Sequence, residues 1–486
     1  MRRLKRMIFG TILCLLLLPI LQNLTGVFTI DSLNGYFRPV DLPELTWEHW
    51  MSGTYQPTAA QFVEEHTGLR NVLIRINNQV NYSFFNKPAG DGVTPGKNGN
   101  FFIRTYIDAY TGNDFAGKDA SDERMHKLRF LQDEWEKNGK TFVLVLAPGK
   151  ASFYPEDIPD EFLATAKTPT NYQYTRKKCD DLGIHYLDMN AYFCSLKKNA
   201  KTKYLYYPRC GTHLSKYGSE VMADTIVKYI EKVRAIDLPD LAMKGMKYKG
   251  PNYLDDDITE LINLFSPPEN PSMEEPDLVF TDGPGKTRPR VITIGDSYYE
   301  GLIYTKIPKR LFRDSQYWQY NKYVYSDSMT LNGMMENLDV KTELEKSDVI
   351  MILATEATLF RLSYGFIDDA YALYAPKTKQ EKTAFYRKLI LEDKQWKSEI
   401  AASAMNKNIT LDSAVSVAAA LEYEKEAEKE SRIAAERVAA IADRIRKDPA
   451  YMALIVGKAK DRGVSTGEMI RMDAEWLFDQ ENKNTH

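Results

Sequence analysis

Val291-Ile292-Thr293-Ile294-Gly295-Asp296-Ser297 is the stretch on which the fold turns. An apolar, β-branched run stops at a glycine, and a helix-like stretch, 300–312, follows. Such a run reads as a buried strand feeding the helix of an α/β unit. Ser297 then stands on the turn after the strand, beside the free N–H groups that open the helix. Those donors can hold a developing oxyanion, and the hydroxyl can attack an acyl carbon. Gly295 belongs to this turn, and Asp296 is read as its cap.

The same pattern repeats on either side. A helical stretch at 121–138 leads into the continuous apolar run 141–147, and another at 171–182 leads into 184–188. Further strands are expected at 320–325 and 348–354. Five apolar strands separated by helices predict an α/β fold whose mostly parallel sheet is flanked by helices on both faces.

The chain has 486 residues, 43% hydrophobic and 12% aromatic, enough for two or three domains. Its formal net charge of −3 gives no electrostatic footprint for nucleic acid. Thirty tyrosines suit stacking on sugar rings and equally suit exposed strands. Arg2, Arg3, Lys5 and Arg6 precede an apolar run at 7–21 with no clear cleavage site after it. Residues 1–27 are therefore expected to be a membrane anchor or signal, with the bulk of the chain in the periplasm or otherwise outside the cytoplasm. Residues 28–120 lead in to the sheet domain and pack on it. The α/β domain spans 121–375, with a Pro-, Asp- and Lys-rich insertion at 235–290.

Residues 376–486 form a helical tail with a weak tandem repeat. Ile390, Asp393, Trp396, Ile400, Ala404 and Ile409 recur 55 positions later as Ile445, Asp448, Tyr451, Ile455, Ala459 and Val464. Each copy is expected to be a helical hairpin, the two linked by a charged helix at 421–442. Among the cysteines, Cys194 and Cys210 could pair across a loop. No Cys/His cluster suggests a metal and nothing calls for a cofactor. The run Asp255-Asp256-Asp257 reads as a helix N-cap with acidic first-turn residues, not a calcium site.

A serine nucleophile needs a base. His213 lies in the loop Pro208-Arg209-Cys210-Gly211-Thr212-His213-Leu214-Ser215, directly before the helical stretch 216–234. It is the candidate, whereas His185 sits inside a predicted strand and reads as structural.

Five pieces then occur in order: Gly68-Leu69-Arg70; Gly96-Lys97-Asn98-Gly99 before Phe101-Phe102; Ala147-Pro148-Gly149-Lys150 with Tyr154-Pro155-Glu156; Thr212-His213; and Gly295-Asp296-Ser297. With them, residues 50–365 resemble the alginate O-acetyltransferase group of SGNH-hydrolase-like proteins, in which the catalytic histidine precedes the serine. The resemblance implies an SGNH-like fold and a Ser-His nucleophilic site. It also implies a polysaccharide acceptor, with a membrane-bound O-acyltransferase as partner supplying acetyl.

The chain departs from that group's Asp-x-His-Trp pattern, carrying Gly211 and Leu214 at the Asp and Trp positions. An acid to orient His213 must come from elsewhere. Glu356, in the loop after the strand at 348–354, is the first candidate, and Asp188, at the end of its own strand, the second. Two functions stand side by side. One is an exported polysaccharide O-acetyltransferase, for which a simple acetyl esterase would need the same residues. The other is a non-catalytic glycan-binding or scaffolding subunit of an exopolysaccharide complex, favoured by the missing aspartate and the long tail.

Overall fold

The computed structural model describes residues 2–35, 40–88, 90, 92–199, 204–251 and 254–484. They fall into two compact units. The first comprises Met1–Ser121, Asn138–Thr175 and His185–Gly365; the second comprises Asp122–Lys137, Arg176–Ile184 and Phe366–His486.

At the centre of the first unit is a seven-stranded sheet: β1 (Thr141–Ala147), β2 (Tyr186–Asp188), β3 (Val291–Gly295), β4 (Gln316–Gln319), β5 (Tyr323–Ser326), β6 (Leu331–Met334) and β7 (Val349–Thr355). The spatial order is β6-β5-β4-β3-β7-β1-β2. From β4 to β2 all pairings are parallel, whereas β5 and β6 add antiparallel strands at one edge. The protein is thus of mixed α/β class, with a central, mostly parallel sheet flanked by helices.

The central strands read as unbroken apolar runs because both faces are covered. Val143, Val145, Val291, Val349, Met351 and Leu353 share one core with α2 (Met189–Lys198), α3 (Lys216–Arg234) and α5 (Tyr298–Tyr304). The alternate residues Phe142, Leu144, Ile292, Ile294, Ile350 and Ile352 are equally buried. α1 (Arg2–Thr25) opens the described chain, and α4 (Asp257–Leu261) lies between β2 and β3 in sequence.

One strand differs from expectation. The predicted strand at 320–325 straddles a turn: Tyr320 and Asn321 have φ of 54° and 53°, and Lys322 N–H bonds Gln319 O at 2.9 Å. Two consecutive left-handed residues make the hairpin turn that joins β4 to β5. The fifth parallel strand is Gln316–Gln319, whose flanking glutamines hide it in an apolarity scan although Tyr317 and Trp318 are fully buried.

The 235–290 segment contains an antiparallel hairpin, Asp240–Lys249 with Met273–Thr281, and α4 between its arms. Cys194 and Cys210 do not pair. Each is a free thiol, donating weakly to Ser152 O and Pro268 O.

α1 runs further than the apolar stretch 7–21. Its 24 residues, with a best-window mean hydropathy of 2.1, are long and apolar enough to cross a membrane. Near its end Asn23 donates to His66 O at 3.0 Å. Gly68, in the next turn, is so close to Pro19 O that a Cβ would lie 2.2 Å from it.

In the second unit the two repeat copies build the same local structure. Asp393 caps Lys394–Asn406 by accepting from Gln395 and Trp396 N–H, and Asp448 caps Pro449–Arg462 by accepting from Ala450 and Tyr451 N–H. Ile409 N–H returns to Ala404 O, and Val464 N–H to Ala459 O, both at 3.1 Å. Each copy has its own small core, around Ile390, Val415 and Ala419 in one and Ile445, Ile455 and Ala459 in the other. They share a single 37-residue helix, Leu411–Lys447, longer than the linker expected at 421–442.

Candidate active site

In a parallel sheet, loops leaving the carboxyl ends of the strands converge where the strand order reverses. Here β7 is flanked by β3 and β1, and the next segments out of these strands carry Ser297, Glu356 and Lys150. The serine stands on a braced turn. Asp296 Oδ1 accepts from Tyr298 N–H at 3.0 Å, and its Oδ2 accepts from the hydroxyls of Thr355 and Thr358, each at 3.0 Å. Tyr317 OH donates to Asp296 O at 2.6 Å. Burial raises the Asp296 pKa, and these hydrogen bonds offset part of that cost.

Asp296 therefore locks the turn to β7, as a turn cap would, and has no bond to His213. Gly295 is where β3 presses on β7, since a Cβ there would lie 2.9 Å from Leu353 O. Ser297 N–H points at Tyr320 OH, 3.2 Å away, so the first donor available to an oxyanion has a weak, displaceable partner.

His213 Nε2 is 3.0 Å from Ser297 Oγ although 84 residues separate them. Its other nitrogen, Nδ1, is 2.5 Å from Asp257 Oδ2. Asp257 Oδ1 accepts from Thr212 N–H at 2.7 Å, so one carboxylate grips both the ring and the backbone beside it. Burial pulls the His213 pKa down, but the Asp257 hydrogen bond and charge, with Asp296 and Glu300 behind them, leave it raised. Asp257, His213 and Ser297 form one hydrogen-bonded chain.

Neither acid expected from the sequence takes that place. Glu356 is buried and accepts from Asn190 Nδ2 at 3.0 Å. Asn190 belongs to α2, which follows β2, so Glu356 leans toward the β1–β2 side of the sheet while Ser297 leaves β3 on the other. Burial pushes its carboxyl up to about 7, against hydrogen bonding from Ser152 and Asn190. Asp188 caps α2 through Ala191 N–H and takes both its oxygens to Tyr172 OH, at 3.0 and 2.9 Å.

The departure at Gly211 has a steric reason. A Cβ there would lie 2.6 Å from both Leu254 O and Asp255 O, so the segment that carries Asp257 already fills the space. Asp257 is the first residue of α4, as an acidic first-turn reading expects, yet its carboxylate serves His213. The only trace in the sequence was an acidic triplet in an insertion that otherwise carried no chemistry.

Two more contacts clasp the histidine loop to this segment. Ile258 and Thr259 N–H both bond Cys210 O, at 3.1 and 3.2 Å. Asn270, buried, accepts from Cys210 N–H and donates to Asp255 O and Asp256 Oδ1.

Residues 93–276 match the family model described as SGNH hydrolase-like domain, acetyltransferase AlgX. The resemblance read from the sequence holds over that segment, which includes His213 and Asp257 and ends before Ser297. Three solved structures are also similar. The O-acetyltransferase domain of Pseudomonas putida AlgJ is 14% identical, with a TM-score of 0.36, covering 58% of this chain and 99% of that one. Pseudomonas aeruginosa AlgX is 15% identical, with a TM-score of 0.38, over 57% and 67% of the two chains. Bacillus cereus PatB1 is 10% identical, with a TM-score of 0.32, over 50% and 93%. No curated protein matches the chain.

Proposed function

We propose that the protein is an exported, membrane-anchored polysaccharide O-acetyltransferase working through Ser297, His213 and Asp257. The observation that carries this reading is the unbroken chain from Asp257 through His213 to Ser297, at 2.5 and 3.0 Å. The match of residues 93–276 to an SGNH hydrolase-like acetyltransferase domain supports the acetyl chemistry.

Ser297 Oγ attacks the acetyl carbonyl while His213 Nε2 takes its proton. The carbonyl oxygen becomes an oxyanion, with Ser297 N–H positioned to donate to it. Collapse expels the donor's leaving group, which receives the proton from His213, and leaves acetyl on Ser297. A sugar hydroxyl then gives its proton to His213 and attacks the acetyl carbon, forming the new ester and freeing the serine. Asp257 holds the Nδ1–H tautomer and stabilises the imidazolium in both halves.

α1 would hold the protein at the membrane, beside a membrane-bound O-acyltransferase that delivers acetyl. The scaffolding alternative drew on a missing acid and on the long helical tail, and Asp257 answers the first of these.

The test is incubation with a chromogenic acetyl ester, with and without a glycan acceptor. Acetyl should appear on the glycan with wild-type protein and disappear with Ser297→Ala. Release as acetate alone, undiminished by acceptor, would assign an esterase. Equal rates for wild type and Ser297→Ala would overturn the site.

A further inference from the structure

Lys150 belongs to one of the sequence pieces that carry the family resemblance, yet the reaction above gives it no task. It follows β1 and is 1% exposed, among the least accessible lysines a fold can hold. Its Nζ donates to three backbone carbonyls, Pro208 O at 2.7 Å, Arg209 O at 2.9 Å and Gly211 O at 2.7 Å. All three lie in the irregular loop that ends in His213.

A buried loop without helix or sheet has no ladder to satisfy its carbonyls, and unmet ones are costly. In this loop every carbonyl from 208 to 211 is met from outside. Cys210 O takes Ile258 and Thr259 N–H, Arg209 O takes Phe101 N–H as well as Lys150, and the other two rest on Lys150. One ammonium, with three protons on a tetrahedral head, thus does what a strand edge would do elsewhere.

Its neighbourhood is built from the other sequence pieces. The Nζ sits 5.6 Å from the centre of the Phe102 ring. Asp157, just past Tyr154-Pro155-Glu156, accepts from Asn98 and Asn100, each at 2.6 Å, and so fixes the turn before Phe101. Burial lowers the lysine to about 7, while the nearby charges of Asp257, Cys210 and Asp157 favour the ammonium.

We infer that Lys150 is a positioning residue, whose ammonium sets the course of the Pro208–Gly211 backbone and thereby the aim of His213 at Ser297. It touches neither substrate nor the reacting atoms. This inference rests on the proposed function for its kinetic consequence and on geometry alone for its structural one.

The test uses the full chain in detergent, comparing wild type with Lys150→Met, which keeps length and removes the donors. Folding is checked by near-ultraviolet circular dichroism. Turnover of the chromogenic acetyl ester should fall about 10²-fold in kcat, as a misplaced catalytic group costs, with KM changing less than about twofold. The second readout is the downfield proton resonance of the His213–Asp257 hydrogen bond, identified by its loss in Asp257→Asn. It should shift or broaden in Lys150→Met.

Should Lys150→Met not fold, Lys150→Gln, a shorter neutral donor, carries both readouts. In unmutated protein the Lys150 ammonium protons should exchange slowly and show contacts to residues 208–211; rapid exchange with no such contacts overturns the inference whatever the variants do. A folded variant with wild-type kcat and an unmoved resonance also overturns it. If Ser297→Ala stays active, the function proposed above fails, while the resonance still decides the role of Lys150.

Discussion

Two regions of the molecule hold a histidine against an aspartate, half-buried in one and buried in the other, and what surrounds each pair differs. In the first unit Asp257 meets His213 at 2.5 Å, and the far nitrogen of the ring faces Ser297. In the second unit His126 Nε2 lies 3.2 Å from Asp393 Oδ2, and the ring stacks on Trp396 at 5.0 Å between centroids. Asp393 is saturated: it caps a helix through two N–H groups and receives Lys178 Nζ at 2.6 Å. Despite burial, those partners hold its carboxyl well below the usual range. The pair alone does not make a catalytic site. What the second nitrogen faces, and whether the carboxylate is already committed to a cation, separates the proposed base from a structural joint.

The comparison breaks most sharply at Ser297. Ser297→Ala should lower acetyl-ester turnover on the order of 10⁶-fold with the thermal transition unmoved, since nucleophile and base act as a unit. Asp257→Asn comes next, with a loss of about 10⁴ in kcat and little change in stability, because the amide keeps the shape while favouring the wrong tautomer. A tenfold effect or less would return Asp257 to the status of a helix-terminal residue.

Asp393→Ala is the mirror experiment. Leaving Lys178 buried without this carboxylate should cost about 3–5 kcal/mol in denaturant unfolding of the helical unit. Turnover per folded molecule should stay near wild type. Loss of turnover without loss of stability would mean that the two aspartates are not the contrasting pair described.

Glu356 sharpens the comparison from a third side, as a buried carboxyl with no histidine. Its pKa stands at about 7 in the folded protein. Between the ordinary carboxylate value and about 7 the folded state binds more protons than the unfolded one, so stability falls as pH rises through that window and levels off above it. The expected drop is on the order of 3 kcal/mol. In Glu356→Gln that slope should vanish with turnover retained; a collapse of kcat would restore Glu356 to the site.

The smallest effect is on the pH profile. As the proposed base, His213 works only when neutral; its pKa is raised, so kcat/KM should climb with pH through a midpoint above the free-imidazole value. Asp257→Asn should bring the residual midpoint down.

Much of this was legible before folding. Val143 to Ala147 and Val349 to Leu353 announce strands covered on both faces, because such strands lose the polar alternation of half-exposed ones. That Ser297 and His213 would meet was legible too, each standing at the end of an α/β unit. β4 was not, since two glutamines flank its buried tyrosine and tryptophan. The repeat in the tail was readable as matched positions, although its linking helix extends well beyond the charged stretch that suggested it.

The sequence by itself determined the central apolar strands, the turn that presents Ser297, the histidine that meets it and the apolar helix at the start. These depend on periodicity and local turn chemistry, which act over a few residues. Only the tertiary structure decided which acid meets His213 and what steadies its loop. Asp257 stands 44 positions from the histidine, and Lys150 stands 58 to 61 positions from the carbonyls it holds. Any of several carboxylates could have been the partner on chemistry alone. The choice fell to packing: the carbonyls of Leu254 and Asp255 fill the space beside Gly211 and bring Asp257 to the ring, while Glu356 leans to the far side of β7.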